Sequence, residues 1–371
     1  MIIFWTSFLL LFYTYIGYPL VIWVISKCFP QPTEKGDILP NVSIVIAAYN
    51  EERYIARKIL NCLELDYPKD KLEIFIGSDC STDKTDEIIE SYIPHGVRYI
   101  RFSERCGKIS ILNKIIPNAS GEIIILADAR QSFDRQAVKE LVKNFIDEKV
   151  GCVSGELILV ENDVNNLAKG LGFYWNYEKF IRKSESKVSS TIGATGAIYA
   201  IRKKLFIAQE SDIILDDVFI PLAIVANGSR ATFESSAIAY DKITQTSNDE
   251  LKRKIRTIAG NWQLISKIKI CSFISQPIII FQLISHKFMR LIAPYFILAL
   301  LFSNIILIKI KYYQLILILQ IIFYTFASLN ILLKKYKLKI ISIPYTFCAL
   351  NFYTIIGFYF YIRNKQKVTW K

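Results

Sequence analysis

Hydrophobic positions along the chain follow two regimes. Residues 2–26 and most of 273–362 are nearly continuous Ile, Leu, Phe and Tyr, whereas 31–270 sets short apolar runs between mixed segments. The opening run IIFWTSFLLLFYTYIGYPLVIWVI is long enough for a helix to cross a hydrocarbon core of about 30 Å. No basic residue precedes it and its apolar region is too long for a cleaved leader, so an N-terminal transmembrane helix is expected over 1–28. Three more transmembrane helices are expected within 288–363, at roughly 289–309, 313–333 and 340–362. SFISQPIIIFQLISH (272–286) is shorter and holds Pro277 and polar residues, which predicts an interfacial helix over 270–287.

The middle of the chain has a different rhythm. NVSIVIAAY (41–49) reads as a buried strand ending at Asn50, and Ile55, Ile59, Leu60 and Leu63 then recur at helical spacing. LEIFIGSD (72–79) is followed by STDKTDEIIESY, which opens with capping residues and acids. VRYIRF (97–102), GKISILNKII (107–116) and GEIIILADARQSF (121–133) repeat the alternation, the last running four apolar residues towards Asp128. This pattern predicts an α/β domain over 38–268, with a mostly parallel sheet and helices on both faces. In such sheets ligands bind beyond the carboxyl ends of the strands, so Asn50, Asp79 and Asp128 should line one crevice. Each of them alone could be a turn former or a cap, as Asp83 in STDKT could be. Three at successive strand ends argue for a site.

Composition narrows the class. A chain of 371 residues that is 52% hydrophobic with a net charge of +13 fits a membrane protein with a basic cytoplasmic face. Lys27 and Lys35 on one side, and KRKIR (252–256), Lys267 and Lys269 on the other, place the central block in the cytoplasm by the positive-inside rule. The expected location is the plasma (inner) membrane, with several spans. KKYKLK (334–339) agrees with that topology, but four spans put the basic tail RNKQKVTWK (363–371) on the outside. Seven cysteines without CxxC spacing indicate neither a zinc site nor a disulfide framework. His95 and His286 lack partners at ligand spacing. Few ionisable residues fall within the spans and no internal repeat is visible, which argues against a transporter.

NVSIVIAAYNEE, IGSDCSTDKT, CGKISILNK, EIIILADARQ, GATGAIYAIRK and LDDVFIPLAIVANG follow one another over roughly residues 40–265. In that order they resemble the motifs of glycosyltransferase family 2, in the membrane-embedded form with a cytoplasmic GT-A domain, as in cellulose and hyaluronan synthases. The resemblance implies transfer from a nucleotide-diphosphate sugar to a growing polysaccharide or glycolipid acceptor at the membrane. It also implies a divalent metal, Mg or Mn, as cofactor, and no nucleic acid as partner. By the same resemblance Ala48, Tyr49 and Glu51 belong to the nucleotide pocket, Asp79 contacts the base, and Lys108 lies near the diphosphate or base. Asp128 matches the first acid of the DxD motif, which binds metal and diphosphate. Gly193, Thr195 and Gly196 would meet the acceptor, Asp217 with its neighbour Asp216 would supply the general base, and Arg253 and Arg256 fall where QxxRW is expected. Three departures stand out. Ser78 replaces an acid, Arg130 replaces the second carboxylate of DxD, and RKIRT replaces QxxRW, with GNW following at 260–262.

The chemistry suits these residue types. Glycosyl transfer passes through an oxocarbenium-like centre. A hard divalent ion can offset the departing diphosphate while using only one or two protein acids, so one aspartate can suffice. Arg130 either compensates charge directly or points away from the site. Arg253 and Arg256, three apart, could share a helix face towards one phosphate, or could serve lipid headgroups. Gly107 at a helix start would let backbone amides approach a phosphate beside Lys108. Asp216 and Asp217 are adjacent, which raises the proton affinity of one of them, and they are also acids suited to a helix start. A base opposite the diphosphate predicts inversion at the anomeric carbon. Tyr174, Trp175 and Tyr177 could stack on sugars, sit at a membrane interface or pack in a core. Two other functions fit the chain: single-sugar transfer to polyprenyl phosphate, and a non-catalytic nucleotide-binding part of a secretion complex, supported by Arg130.

Overall fold

A computed structural model describes residues 1–160, 166–242, 247–332, 339–363 and 365. Apart from residues 339, 363 and 365, the basic segments KKYKLK and RNKQKVTWK lie outside the described residues. Helices α1 (Ile2–Phe12) and α2 (Tyr18–Cys28) are joined through a π-helical turn at Tyr13–Gly17. Next come β1 (Val42–Ala48), α3 (Ile55–Leu63), β2 (Leu72–Ser78), α4 (Thr85–Ser91), β3 (Val97–Arg101), α5 (Lys108–Asn118) and β4 (Ile123–Ala127). Beyond them lie β5 (Ser132–Phe133), α6 (Ala137–Val142), β6 (Val150–Val160), α7 (Asn166–Val188), β7 (Ile198–Arg202), α8 (Asp216–Ala226) and β8 (Arg230–Lys242). The rest is helical: α9 (Ser247–Lys267), α10 (Pro277–Gln282), α11 (Met289–Ile306), α12 (Lys311–Leu332) and α13 (Lys339–Ile362).

The chain divides into two compact units. A sheet unit takes residues 30–160 and 185–242, and a helical unit takes 1–29, 161–184 and 243–366. This division differs from a boundary at 38–268, because α9 and most of α7 group with the apolar helices.

The sheet unit holds eight strands in the order β3-β2-β1-β4-β7-β6-β8-β5. Strands β3, β2, β1 and β4 are parallel, as the alternation predicts. Strand β7 runs antiparallel to both β4 and β6, β8 pairs parallel with β6, and β5 pairs antiparallel with β8, so this half of the sheet is mixed. Apolar periodicity marks a strand without marking its direction. Every residue of β1 and β4 is buried, as expected of central strands covered on both faces. The register sets Ala48 beside Ser78 and Ile46 beside Ala127, which brings the carboxyl ends of β1, β2 and β4 together.

Among the described residues, four helical stretches are long and apolar enough to cross a membrane: Ile2–Cys28, Pro277–Ile306, Lys311–Leu329 and Ser342–Ile362. Pro277 stands in the first turn of α10, where a missing N–H costs nothing, and the helix continues through a π-helical turn at Leu283–Phe288 into α11. The segment expected as a separate interfacial helix is thus the beginning of the same long helix. Two of its polar residues are buried with partners, Ser285 with Tyr13 and His286 with Glu178 (2.8 Å). Side-chain hydrogen bonds tie the N-terminal helices to the later ones, from Trp5 to Tyr313 (3.2 Å), between Tyr13 and Ser285 (2.7 Å), and from Tyr15 to Asn351 (3.1 Å). Trp262 of the GNW segment packs on Phe358 of α13, with ring centroids 4.5 Å apart.

In the sheet unit, buried Glu234 of β8 accepts hydrogen bonds from Lys35 Nζ (2.5 Å), Asn144 Nδ2 (3.1 Å) and the Ser236 N–H (3.2 Å). Burial pushes its pKa up, but these donors outweigh that and hold the carboxyl below its usual value. A depressed folded pKa contributes stability that is complete above the unfolded value, about 4.3, and is lost as pH falls through the folded value. Glu234→Gln should therefore lower the melting temperature at neutral pH, by roughly 1–3 kcal/mol of stability. The gap from wild type should narrow between about pH 5 and pH 3, whereas a gap of constant size across that range would contradict the assignment.

Candidate active site

Beyond the end of β1, Asn50 adopts a left-handed φ of 52°, which asparagine tolerates better than most residues. Its side chain bridges to the loop after β2, with Oδ1 accepting the Thr82 N–H (2.8 Å) and Nδ2 donating to Thr82 Oγ1 (3.2 Å). The Glu51 N–H donates to Thr85 Oγ1 (2.8 Å). Asp83 accepts the N–H groups of Thr85 (3.0 Å) and Glu52 (3.3 Å), so it organises the turn into α4. Ala48 is fully buried, and the guanidinium of Arg105 lies 3.8 Å from the ring centroid of Tyr49.

Asp79 follows β2 and is fully buried. Its Oδ1 accepts the Cys106 N–H (2.7 Å) and its Oδ2 the Gly107 N–H (3.0 Å). In this structure, then, the carboxylate fixes the turn that leads into α5. Gly107 has a φ of 86°, a conformation that favours glycine, and it precedes Lys108, the first residue of that helix.

Lys108 joins the acids. Its Nζ donates to Asp128 Oδ1 at 2.9 Å and lies 3.2 Å from Asp216 Oδ2. Burial pulls the ammonium's pKa down, but Asp128 and Asp216 outweigh burial and raise it, so the group stays charged. The hydroxyl of Tyr199 donates to the same Asp216 oxygen at 3.2 Å. Asp216 is thus committed to two partners at the start of α8. Its neighbour Asp217 is half-buried, and its backbone carbonyl accepts the Ala194 N–H at 2.6 Å. A Cβ added to Gly196 would lie 2.9 Å from Asp217 Oδ2, so a larger residue there would displace the carboxylate. Thr195 anchors that loop to β6 by donating its N–H to Ser154 Oγ (2.9 Å). Gly193 has a φ of 93° and contacts the Asp217 backbone.

Arg130 is drawn elsewhere. Its guanidinium pairs with the buried carboxylate of Asp241 on β8, which also accepts from Gln131 Nε2 (3.0 Å). Arg57 and Lys58 of α3 donate to the backbone carbonyls of Arg130 (2.8 Å) and Gln131 (3.1 Å). Arg253 and Arg256 lie on α9, in the helical unit and not in the unit that carries this cleft. Tyr199, Asp241 and Arg105 were not anticipated from the sequence. A tyrosine in a buried strand must find a hydrogen-bond partner, which was a usable signal for Tyr199. Nothing local marks Asp241, 111 residues from Arg130.

The cleft therefore offers a cation between two acids and, beside it, a carboxylate over a glycine loop. Such a set can receive a phosphate group and take a proton from a hydroxyl. It depends on the Asp79 turn. Asp79→Ala should leave two buried amides without acceptors and speed hydrogen exchange at Cys106 and Gly107 by at least about tenfold, at a cost of roughly 1–3 kcal/mol each. Unchanged exchange at those amides would refute the turn's dependence on Asp79.

Known proteins are similar to this chain. The model of glycosyl transferase family 2 matches residues 43–208. The chain is 24% identical over 257 residues to the probable glycosyltransferase YdaM of Bacillus subtilis, covering 65% of this chain and 60% of that protein. It is 25% identical over 242 residues to the poly-beta-1,6-N-acetyl-D-glucosamine synthase of Staphylococcus aureus, covering 63% and 58%. The chain thus spans about three fifths of the length of these curated relatives. Among solved structures, a mannosyltransferase from Pyrobaculum calidifontis, PcManGT, in complex with GDP-Man and Mn2+, shares the fold with a TM-score of 0.72 at 22% identity, over 97% of this chain and 99% of that one. Six ordered motifs, the sheet that aligns them and the matched family model agree: residues 43–208 resemble glycosyltransferase family 2, within a chain of GT-A architecture.

Proposed function

We propose that the chain is an inverting glycosyltransferase that moves a sugar from a nucleoside-diphosphate donor to a hydroxyl of a growing polysaccharide or glycolipid at a membrane. The observation that carries this reading is the contact of Lys108 with both Asp128 and Asp216, next to Asp217 over Gly196. Residues as distant as 108, 128, 196 and 217 lie near one another beyond the strand ends, which supports a site for donor and acceptor, and buried Asp79 holds the turn before Lys108.

The residues fit a divalent ion of a particular kind. Asp128 is partly exposed, and among the described residues no three His, Cys, Asp or Glu side chains gather to hold a metal. A hard ion that takes most of its ligands from diphosphate and water needs little more than Asp128. The Mn2+ and GDP-Man of the similar mannosyltransferase structure support this reading. Bound there, the ion would offset negative charge on the departing diphosphate. Arg130 does not oppose it with an unpaired charge, because Asp241 holds its guanidinium. That pairing also gives Arg130 a structural role that a catalytic chain can carry.

The protein's own residues divide the remaining work. Lys108 places a positive charge at the phosphate side of the cleft, and Asp79 holds the turn that presents it. Asp217 accepts the proton of the acceptor hydroxyl as that oxygen bonds the anomeric carbon and the bond to the diphosphate oxygen breaks. Attack from the side opposite the leaving group inverts the configuration. Asp216, tied to Lys108 and Tyr199, positions the pair instead of acting as the base. The four apolar helices would hold the chain in the plasma membrane, and the basic residues flanking the central block favour its placement on the cytoplasmic side.

Purified full-length protein offered a panel of UDP- and GDP-sugars should turn over at least one of them. Asp217→Asn should reduce turnover by about 10²–10⁴-fold while nucleoside-diphosphate binding persists. Turnover equal to wild type would remove Asp217 as the base. Asp128→Asn should abolish the dependence of donor binding on Mg2+ or Mn2+, and an unaltered dependence would place the metal elsewhere.

A further inference from the structure

The helical unit encloses a cavity of about 350 Å³, within the range of small-molecule sites. Most of its wall is apolar, with Phe173, Ile258, Leu291, Phe347 and Leu350 among the lining residues. Among the described residues, Lys254, Lys287, Arg290 and the carboxylate of Glu178 also line it. Arg290 belongs to a helix apolar enough to span a membrane, where an ionisable side chain usually marks a functional site.

Glu178 is already fully engaged. Its Oε1 meets His286 Nε2 at 2.8 Å and its Oε2 accepts from Arg290 Nη1 at 2.6 Å. Burial pushes the carboxyl's pKa up, but Arg290 and His286 outweigh that and hold it well below the usual range. Only one corner of the guanidinium is used in this contact. Among the described residues, Nε and Nη2, the two donors along its other edge, are shielded from solvent and have no hydrogen-bond partner. Thr346, only 4% exposed and lining the same cavity, has an equally unpartnered Oγ1.

A buried charged donor without an acceptor is costly and rarely left so. The Nε–Nη2 edge of an arginine matches two oxygens of a phosphate. A guanidinium edge without an acceptor beside mostly apolar walls calls for a ligand that is anionic at one end and hydrocarbon at the other. Helices of spanning length place such molecules in the surrounding solvent.

We infer that this cavity binds a lipid with a phosphate headgroup, the Nε–Nη2 edge of Arg290 gripping the phosphate and the apolar walls holding the start of its hydrocarbon. The site lies wholly in the helical unit and does not rest on the transferase reading. Thr346 adds a hydroxyl to the head, and Lys254, stacked on Tyr174 and Trp175 at 5.4 and 5.5 Å, adds charge. Tyr174 and Tyr177, which line the same cavity, thereby acquire a place in a lipid site instead of a sugar platform.

The test titrates the full chain, in a nonionic detergent, with dioctanoyl phosphatidic acid, with dioctanoylglycerol and with inorganic phosphate, reading the melting temperature. Saturable stabilisation by the phosphatidic acid is expected, with apparent affinity at least tenfold above either of the other two. Arg290→Gln should weaken it at least tenfold. Because that change also strips Glu178 of a partner, Leu350→Trp serves as a second variant, filling the cavity while leaving Glu178, His286 and Arg290 in place, and it should weaken binding to a similar degree. Equal response to dioctanoylglycerol would overturn the phosphate's role, and equal response to inorganic phosphate would overturn the lipid. Wild-type affinity in Leu350→Trp would exclude the cavity.

Discussion

One ammonium among carboxylates governs the sheet unit's cleft. Lys108 is mostly buried, and without a counter-charge its burial would be costly; Asp128 and Asp216 supply that counter-charge from two different elements of the fold. The two acids would in turn repel each other without it. Their mutual dependence fixes where β4 ends relative to the start of α8. Asp217 follows Asp216 by one residue, so its position over the glycine loop is inherited from the same contact. Upstream, the buried Asp79 sets the turn from which Lys108 projects. An ion pair of this kind contributes modestly to net stability, but removing one partner leaves an uncompensated charge, about 3–5 kcal/mol where burial is complete. Constraint, more than strength, is what it provides.

The same contact suits a site awaiting an anion. A diphosphate entering the cleft can replace carboxylate oxygens around the ammonium, and Asp128 is then available to other partners. Asp216 keeps Tyr199. The departure from DxD at Arg130 becomes understandable in these terms. The arginine is one side of a structural ion pair with Asp241 that ties the end of β4 to β8, and the backbone around it is held by Arg57 and Lys58. A second carboxylate at that position would leave Asp241 buried against a like charge.

Much of this was legible in the chain before folding. Strands β1, β2 and β4 announce themselves by short, mostly apolar runs, and acids or amides at their ends mark the crevice, because parallel strands bring their carboxyl ends to one edge. Residues read from motifs, Lys108, Asp128, Asp217 and Gly196 among them, do meet. Less was visible where partners are remote. Neither the reversal of β7 nor the pairing of Arg130 with Asp241 has a local signature. Pro277 suggested a break, yet it begins a helix that runs to Ile306. His286 had no partner at ligand spacing because Glu178, 108 residues away, is its partner. Helices α7 and α9 have the mixed composition of a soluble domain, but their apolar faces group with the spans.

Calorimetric titration of the purified full chain with UDP and with GDP, in the presence of Mn2+, examines the role of Lys108 most directly. Wild type should bind at least one of the two nucleotides, and Lys108→Met should bind it at least about tenfold more weakly, a loss of ~1.4 kcal/mol or more. Equal affinity in the two proteins, with the variant folded as judged by its melting curve, would contradict the placement of a phosphate at that ammonium.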